Sequence, residues 1–477
     1  MTSKPKAQLA PLPWMEILTY WVLSFGSHLY SFYQLHIFSK GKADKSGVCT
    51  LVQFGCFYQD PTDFEWTFWT QWAKKSLLWT LVGHGVISRL TSIFYPKFRV
   101  PALTIYGFLA ASSVLGIKGV GVLLVHLGLS FSVAQLRKPA LSWAINLLLL
   151  STLHIQPLQE IQRDWYKTEE EYYLLLFSVA VCGLRFISFS LEHCWAPAER
   201  GGVVQLCWLF SYTFYHPFFY NGPIITSSEE RDGDKSVFSY LVLRVGRIIL
   251  WWCIAEYLIH VMYMHSIQSN ETYLEILPPW ALGGLALALV QFFFVKYLVL
   301  FGLPSMLATL DKLVPPKLPR CVSIMYSFTG MWRAVMFYSF LSEAAFYLLN
   351  PRCRYIYVPL GGSRHGHLSK MLSTGLAFGF VCLWHGGHDY LQYWALMNWA
   401  GVLVENGLKP LFASSFIRSI VQNFSAPMER RCIALLSAFS TAMLILSNLV
   451  FLGGIHVGRI FWKRVFIQGK MSSANTQ

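Results

Sequence analysis

Long apolar runs separated by short polar stretches set the pattern of this chain. Runs over 15–35, 76–95, 101–117, 119–136, 139–155, 172–190, 203–225, 237–267, 280–307, 371–387, 389–412 and 432–454 stand out. Most approach the roughly 20 residues a helix needs to cross a bilayer core, which predicts about nine to eleven spans. The predicted fold class is therefore all-α: a polytopic integral membrane protein with transmembrane helices plus re-entrant and interfacial pieces. Pro217 and Pro223 interrupt the run over 203–225, and Tyr220-Asn221-Gly222-Pro223-Ile224 reads as a break at membrane depth. Such a break is tolerated only against protein or a water-filled cavity.

The polar stretches 36–75, 156–171, 226–236, 308–330 and 350–370 are too short for a separate soluble domain. No transporter-type internal repeat is visible, so a single membrane domain over 1–477 is expected. The stretch 36–75 gathers Asp60, Asp63, Glu65, Trp66, Trp69 and Trp72. Because Trp favours the membrane–water boundary, this stretch reads as an interfacial loop with an amphipathic helix.

Composition narrows the class further. Of 477 residues, 55% are hydrophobic and only 13% charged, against about 25% charged in an ordinary soluble domain. Soluble, disordered and disulfide-scaffold classes are excluded. Net charge is +14, but the basic residues punctuate the apolar runs, as at Lys74-Lys75, Arg137-Lys138, Arg430-Arg431 and Lys463-Arg464. That is the distribution of loops between spans and not of a nucleic-acid-binding arm. The ten Cys form no CxxC pair and read as packed small side chains. The first run reads as a retained signal anchor.

Ionisable residues inside apolar runs are functional hypotheses in a membrane. His84, His126, Arg185, Arg244, Arg247, Glu256, His260, Lys296 and His385 qualify. Glu256 and His260, four apart on one helical face with His265 following, fit a hydrogen-bonded pair better than a metal site, since further ligands are not evident. The sharper constellation is Trp384-His385-Gly386-Gly387-His388-Asp389, at the end of a long apolar run. A partly buried imidazole can take a proton from an incoming amine, hydroxyl or thiol. On spacing alone, a satisfied structural His between two helices is the favoured explanation, with Asp389 either pairing with His385 or capping the next helix.

The Trp-His-Gly motif after a long apolar helix resembles the membrane-bound O-acyltransferase superfamily. Within it, stretches spread from residue 63 to residue 454 are similar to the Hedgehog acyltransferase subfamily. They are Asp63-Phe64-Glu65-Trp66, Trp165-Tyr166-Lys167-Thr168-Glu169, Asn221-Gly222-Pro223-Ile224, CVSIMYSFTGMWR over 321–333, YIYVPLGG over 355–362, Trp384-His385-Gly386-Gly387, and LILSNLVFLGG over 444–454. The resemblance implies transfer of palmitate from palmitoyl-CoA to the N-terminal cysteine amine of Hedgehog proteins, in the membrane of the endoplasmic reticulum or Golgi, with no nucleic-acid partner. It implies His385 as catalytic base, Trp332 and Arg333 lining the acyl-CoA site, and Cys321 as ligand to a haem b iron. Lys312, Lys317, Arg320 and Arg333 are suited to the CoA phosphates.

Two departures stand out. Three residues after Trp-Arg the subfamily places a second catalytic residue, an Asp; here that place holds Met336, and 334–353 matches nothing expected there. Glu343 is the only acid in that replacement segment. A thioether cannot do a carboxylate's hydrogen bonding, which leaves a catalytically impaired form, or an acyltransferase for another lipid or peptide acceptor, as alternatives. The second departure is the tail, where 470–477 is polar and the subfamily pattern leads one to expect a last apolar helix.

Overall fold

The computed structural model describes residues 11–43, 52–54, 57–60, 63–195, 201–220, 237–313, 315, 318, 321, 325–335, 366–412, 414 and 415–468. The described residues form helices, apart from one small hairpin. Helix α1 (Trp14–Ala43) is followed by β1 (Val52–Phe54) and β2 (Phe57–Gln59), paired antiparallel. Helix α2 (Phe64–Trp72) runs through a π-helical turn over Ala73–Leu77 into α3 (Leu78–Phe94). Then come α4 (Arg99–Gln135), α5 (Pro139–Ser151), α6 (Gln156–Arg163) and α7 (Glu169–Trp195). The middle of the chain forms α8 (Gly202–Thr213), α9 (His216–Phe219), α10 (Val237–Val261), α11 (Met264–Gln268), α12 (Glu271–Ile276) and α13 (Pro279–Leu310). The last part holds α14 (Phe328–Val335), α15 (Gly366–Trp384), α16 (Asp389–Phe412), α17 (Ser415–Val421) and α18 (Ala426–Phe461).

The starts of these helices follow local chemistry. Pro stands in the first turn of α5, α6, α9, α13 and α18, where its missing N–H is no loss. Asp63 caps α2 by accepting from the Trp66 N–H, and Asn270 caps α12 from the Tyr273 N–H, each satisfying an orphan donor. Among the described residues five stretches are long and apolar enough to cross a membrane: Phe64–Phe94, Pro96–Gln135, Glu169–Trp195, Pro279–Leu310 and Ala426–Ile467. The α5 and α6 pair, bent by 64°, makes a sixth if taken as one broken span. Helices α1, α10, α15 and α16 have 30, 25, 19 and 24 residues, long enough at about 1.5 Å per residue to match the bilayer core. Large apolar side chains such as Ile117, Val203 and Leu435 project outward, which suits lipid and would be a liability in water.

Three buried clusters hold the helices together. One unites α14, α15 and α16 with α7 and α18; a second unites α10, α11 and α13 with Leu35 and Trp66; a third packs α4, α7, α8 and α9 around Phe68 and Trp69. Helix α13 touches α1, α10 and α18. The approach to α1 depends on Gly284, where any Cβ would collide with the Ser31 carbonyl.

One expectation is corrected and two others meet the structure in part. The runs 101–117 and 119–136 belong to one helical path, α4, broken at Gly116, whose φ of 67° only glycine adopts freely. The run over 203–225 breaks at Phe214 and Tyr215, between α8 and α9, and α9 ends at Phe219; the break expected over 220–224 falls largely on Asn221 to Ile224, which lie outside the described residues. In the stretch 36–75, read as an interfacial loop, Trp66 and Trp69 are buried in the protein, and the acids beside them are paired inside it. A charge partner within the bundle outweighs the headgroup region for those side chains.

Helix α4 meets the α8–α9 break at Gly107, where an added Cβ would run into the Phe214 carbonyl. Gly107→Ala is expected to lower stability by about 1–3 kcal/mol through overpacking. Gly128→Ala on the same helix, which meets open space, is expected to leave stability unchanged. Melting of the detergent-solubilised variants compares the two directly.

Candidate active site

Helix α15 ends at Trp384, and the next three residues close it. The His385 N–H donates to the Val381 carbonyl, Gly386 to Leu383, and Gly387 to Cys382, at 3.1, 3.0 and 2.9 Å. Gly386 and Gly387 take φ values of 107° and 67°, a left-handed C-terminal turn that a side chain would strain. The motif's glycines therefore turn the chain sharply enough to leave His385 at the helix end, against α18. Its ring meets Trp384 edge-on at 4.6 Å and Phe451 at 5.5 Å. Nε2 is buried and has no hydrogen-bond partner among the described residues. Among the described residues nothing answers that nitrogen, and an unpaired buried polar atom costs about 1–3 kcal/mol. Asp389 does not pair with His385; it is exposed in the first turn of α16, where an acid favours the helix dipole.

Trp332 lies on α14, buried against Phe378 and Trp394 at ring distances of 5.1 and 5.5 Å. Trp394 in turn meets Phe451 at 5.1 Å, and Phe451 meets His385. A continuous chain of rings therefore links Trp332 to His385 through α16 and α18. The indole N–H of Trp332 donates to Asn398 Oδ1 at 2.9 Å, and Asn398 donates to the Trp394 carbonyl. One turn earlier, Glu405 accepts from the Phe328 and Thr329 N–H groups at 2.6 and 2.8 Å and from Ser440 at 2.9 Å. It fixes the start of α14 to α16 and α18. Arg333 follows Trp332 on α14, its side chain outside the described part; Met336, Glu343 and the rest of the replacement segment from 336 onward lie outside the described residues.

Cys321 is half-buried against the cluster of α10 and α13. Neither of two cavities among the described residues reaches it, and no group of three His, Cys, Asp or Glu gathers there or elsewhere among them. Among the described residues, nothing beside Cys321 supports a haem site, and most of its chain neighbours from 314 to 324 lie outside them.

Most of the other ionisable candidates hold the bundle together. Lys296, in the middle of α13, reaches Asp63 at 3.0 Å and Glu65 at 2.8 Å. Burial alone would raise the Asp63 carboxyl, but Lys296 and His265 outweigh it and hold it below the usual range. His265 faces Asp60 and Asp63 at 3.7 and 3.4 Å, away from His260, whose Nδ1 donates to the Glu256 carbonyl at 2.7 Å. The Glu256 carboxylate itself stands 3.8 Å from the same nitrogen. Glu256 also accepts from the indoles of Trp66 and Trp252. His84 joins Asp311 at 2.8 Å, with Arg99, Ser88 and Tyr215 on the same carboxylate. Burial raises the Asp311 carboxyl, and these donors, His84 foremost, bring it below its ordinary value. Arg185 closes α8 by donating to the carbonyls of Tyr212, Thr213 and Phe218. His126 is buried in α4 and Arg247 is exposed on α10.

Asn398, Glu405 and Asp311 escaped the sequence reading. Their one signal was a polar residue within or just after an apolar run, shared with residues of purely structural effect.

Known proteins agree on the kind of protein this is. The model of the membrane-bound O-acyltransferase family matches residues 131–446. The protein-cysteine N-palmitoyltransferase HHAT of Mus musculus is 44% identical over 480 residues, covering 96% of this chain and 94% of that protein. The mouse protein-cysteine N-palmitoyltransferase HHAT-like protein is 26% identical, with 86% of this chain and 80% of that protein covered. The protein-cysteine N-palmitoyltransferase Rasp of Drosophila melanogaster is also 26% identical, over 73% of this chain and 69% of its own length.

The two roles of the site residues separate in a stability measurement. Asn398→Leu leaves the buried Trp332 N–H without its acceptor and is expected to lower stability by about 1–3 kcal/mol. His385→Phe removes an unpaired buried nitrogen and is expected to leave the melting temperature of the solubilised protein unchanged or higher. A fall of comparable size in both variants would return His385 to a structural role.

Proposed function

Because the chain belongs to the membrane-bound O-acyltransferase family, we propose that it transfers palmitate from palmitoyl-CoA to the N-terminal cysteine amine of Hedgehog proteins, in the membrane of the endoplasmic reticulum. The observation that carries this reading is His385, whose buried Nε2 has no partner among the described residues and which a chain of rings connects to Trp332. The relatives' names supply the reaction, protein-cysteine N-palmitoylation. The Hedgehog acceptor rests on the likeness of the motifs from residue 63 to residue 454.

The chemistry is an exchange of a thioester for an amide. The amine nitrogen attacks the thioester carbon, a C–N bond forms, the C–S bond breaks, and the proton lost by the amine ends on the CoA sulfur. His385 takes that proton as general base, a role worth about 10²–10⁴ in rate. The likeness of the motifs assigns Trp332, held by Asn398, and Arg333 to the donor; Glu405 sets the position of the short helix that carries both. No step passes through haem at Cys321. The acyl chain is apolar and is supplied from the bilayer side, while the acceptor is secreted and polar. A site at the end of a membrane helix, walled by rings, suits a reaction whose substrates come from opposite sides.

Met336 supports a second reading, in which the chain binds palmitoyl-CoA without turnover. Membranes containing the chain, palmitoyl-CoA and a peptide beginning Cys-Gly decide between them. Amide-linked palmitoyl peptide is expected, with at least about a 100-fold loss in His385→Ala. Product only from a version carrying the subfamily pattern over 334–353 would establish the second reading. No product from either version would overturn the acceptor.

A further inference from the structure

A cavity lies away from His385, between α2, α3, α9, α10 and α13, and none of its walls comes from α14, α15, α16 or α18. Its volume is about 230 Å³, and its walls are apolar side chains and the indoles of Trp66, Trp69 and Trp252. Val245 and Ile249 of α10, both exposed on the outer face of the bundle, form its rim. No Lys, Arg, Asp or Glu lines it.

Within this apolar wall two side chains carry unpaired polar atoms. His216 is 1% exposed, and both of its ring nitrogens lack a hydrogen-bond partner among the described residues; so does the indole nitrogen of Trp69, which is also buried. The other polar groups are accounted for: Trp66 and Trp252 donate to Glu256, and Thr70 donates to the Trp66 carbonyl. Water alone does not suit the space. At about 30 Å³ each, roughly seven molecules would fill it, and each wants 2–4 polar partners, which three unpaired atoms cannot provide. The walls call for an apolar body with one small polar group.

The polar group is defined by what it must answer. A neutral imidazole offers one N–H and one lone pair, and an indole one N–H. A hydroxyl donates and accepts, so it satisfies His216 in either tautomer, whereas an ester only accepts. A phosphate or an ammonium head would be buried here without an opposite charge. We propose that this cavity binds a neutral membrane lipid bearing a single hydroxyl, which enters from the bilayer past Val245 and Ile249 and places its hydroxyl on His216.

The test uses the full chain in phosphatidylcholine vesicles with three photoreactive diazirine probes: a cholesterol analogue, a long-chain fatty alcohol and a phosphatidylcholine. Cross-linked residues are mapped by mass spectrometry. Labelling of the cavity walls by the sterol or by the alcohol, well above the phosphatidylcholine control, is expected, and the stronger of the two identifies the body of the ligand. His216→Phe is expected to reduce that labelling about fivefold, the loss of one net hydrogen bond of about 1 kcal/mol. Ile249→Trp, a change on the lipid-facing rim that leaves the core untouched, is expected to reduce it as well. Labelling no stronger than the phosphatidylcholine control, or undiminished in Ile249→Trp, would overturn the proposal.

Discussion

The ammonium of Lys296 organises much of this molecule. It sits in the middle of α13, an apolar helix packed against α1, α10 and α18, and is buried there. A lone charge there is prohibitively costly, and the cost is met only by opposite charge with good geometry. Asp63 and Glu65 provide it, 233 and 231 residues away in sequence. Asp63 also caps α2, so one carboxylate both starts that helix and fixes it to α13. Tyr297, next along α13, donates to Glu65 and tightens the join. Helix α2 is thereby drawn into the protein and brings Trp66 and Trp69 with it, placing their indoles in two of the three buried clusters.

The same rule governs the places where helices stop. Lipid satisfies no backbone group, so a helix end at membrane depth needs a partner inside the protein. Arg185 supplies three hydrogen bonds where α8 gives way to α9, Asp311 gathers donors from α3, α4 and the same break, and Glu405 caps α14. Polar residues in the apolar runs are thus mostly the bundle's own fastenings. His385, like His216, differs from these three in carrying a buried ring nitrogen with no partner among the described residues.

The hydrophobic pattern made the long helices legible: the run at 280–307 is α13, and that at 172–190 is α7. Twenty apolar residues suffice to define a helix in a bilayer, whatever surrounds it. Direction changes were harder to read. Gly116 breaks α4 with a left-handed residue, and many other glycines in the chain do nothing of the kind. Partner choice was not legible at all. Nothing near Lys296 in sequence announces Asp63, and the Trp-rich stretch around Asp63 carries the signature of a membrane interface although it is interior. The His385 motif was visible by its glycines and its position at the end of a run, and the family it suggested is the family found. Asn398 and Glu405 were invisible because their effect lies in what they hold, α14, which the sequence does not bring near α16.

The ring chain between Trp332 and His385 has a consequence for any acyl transfer from a thioester. Water is present at high concentration on both sides of a membrane and competes with an amine for the thioester carbon. A site that only bound both substrates would lose much of its donor to hydrolysis. Here Phe451 and Trp384 meet the imidazole edge-on, and Trp394 and then Trp332 stand behind Phe451. Their bulk leaves the histidine accessible along few directions. Gly454, three residues beyond Phe451, takes a left-handed φ of 83° and lets α18 change course just after supplying that ring. Positioning and dryness therefore come from the same side chains. A substitution that shrinks one of them disturbs both, so their contribution to selectivity for the amine cannot be separated from their contribution to the fold.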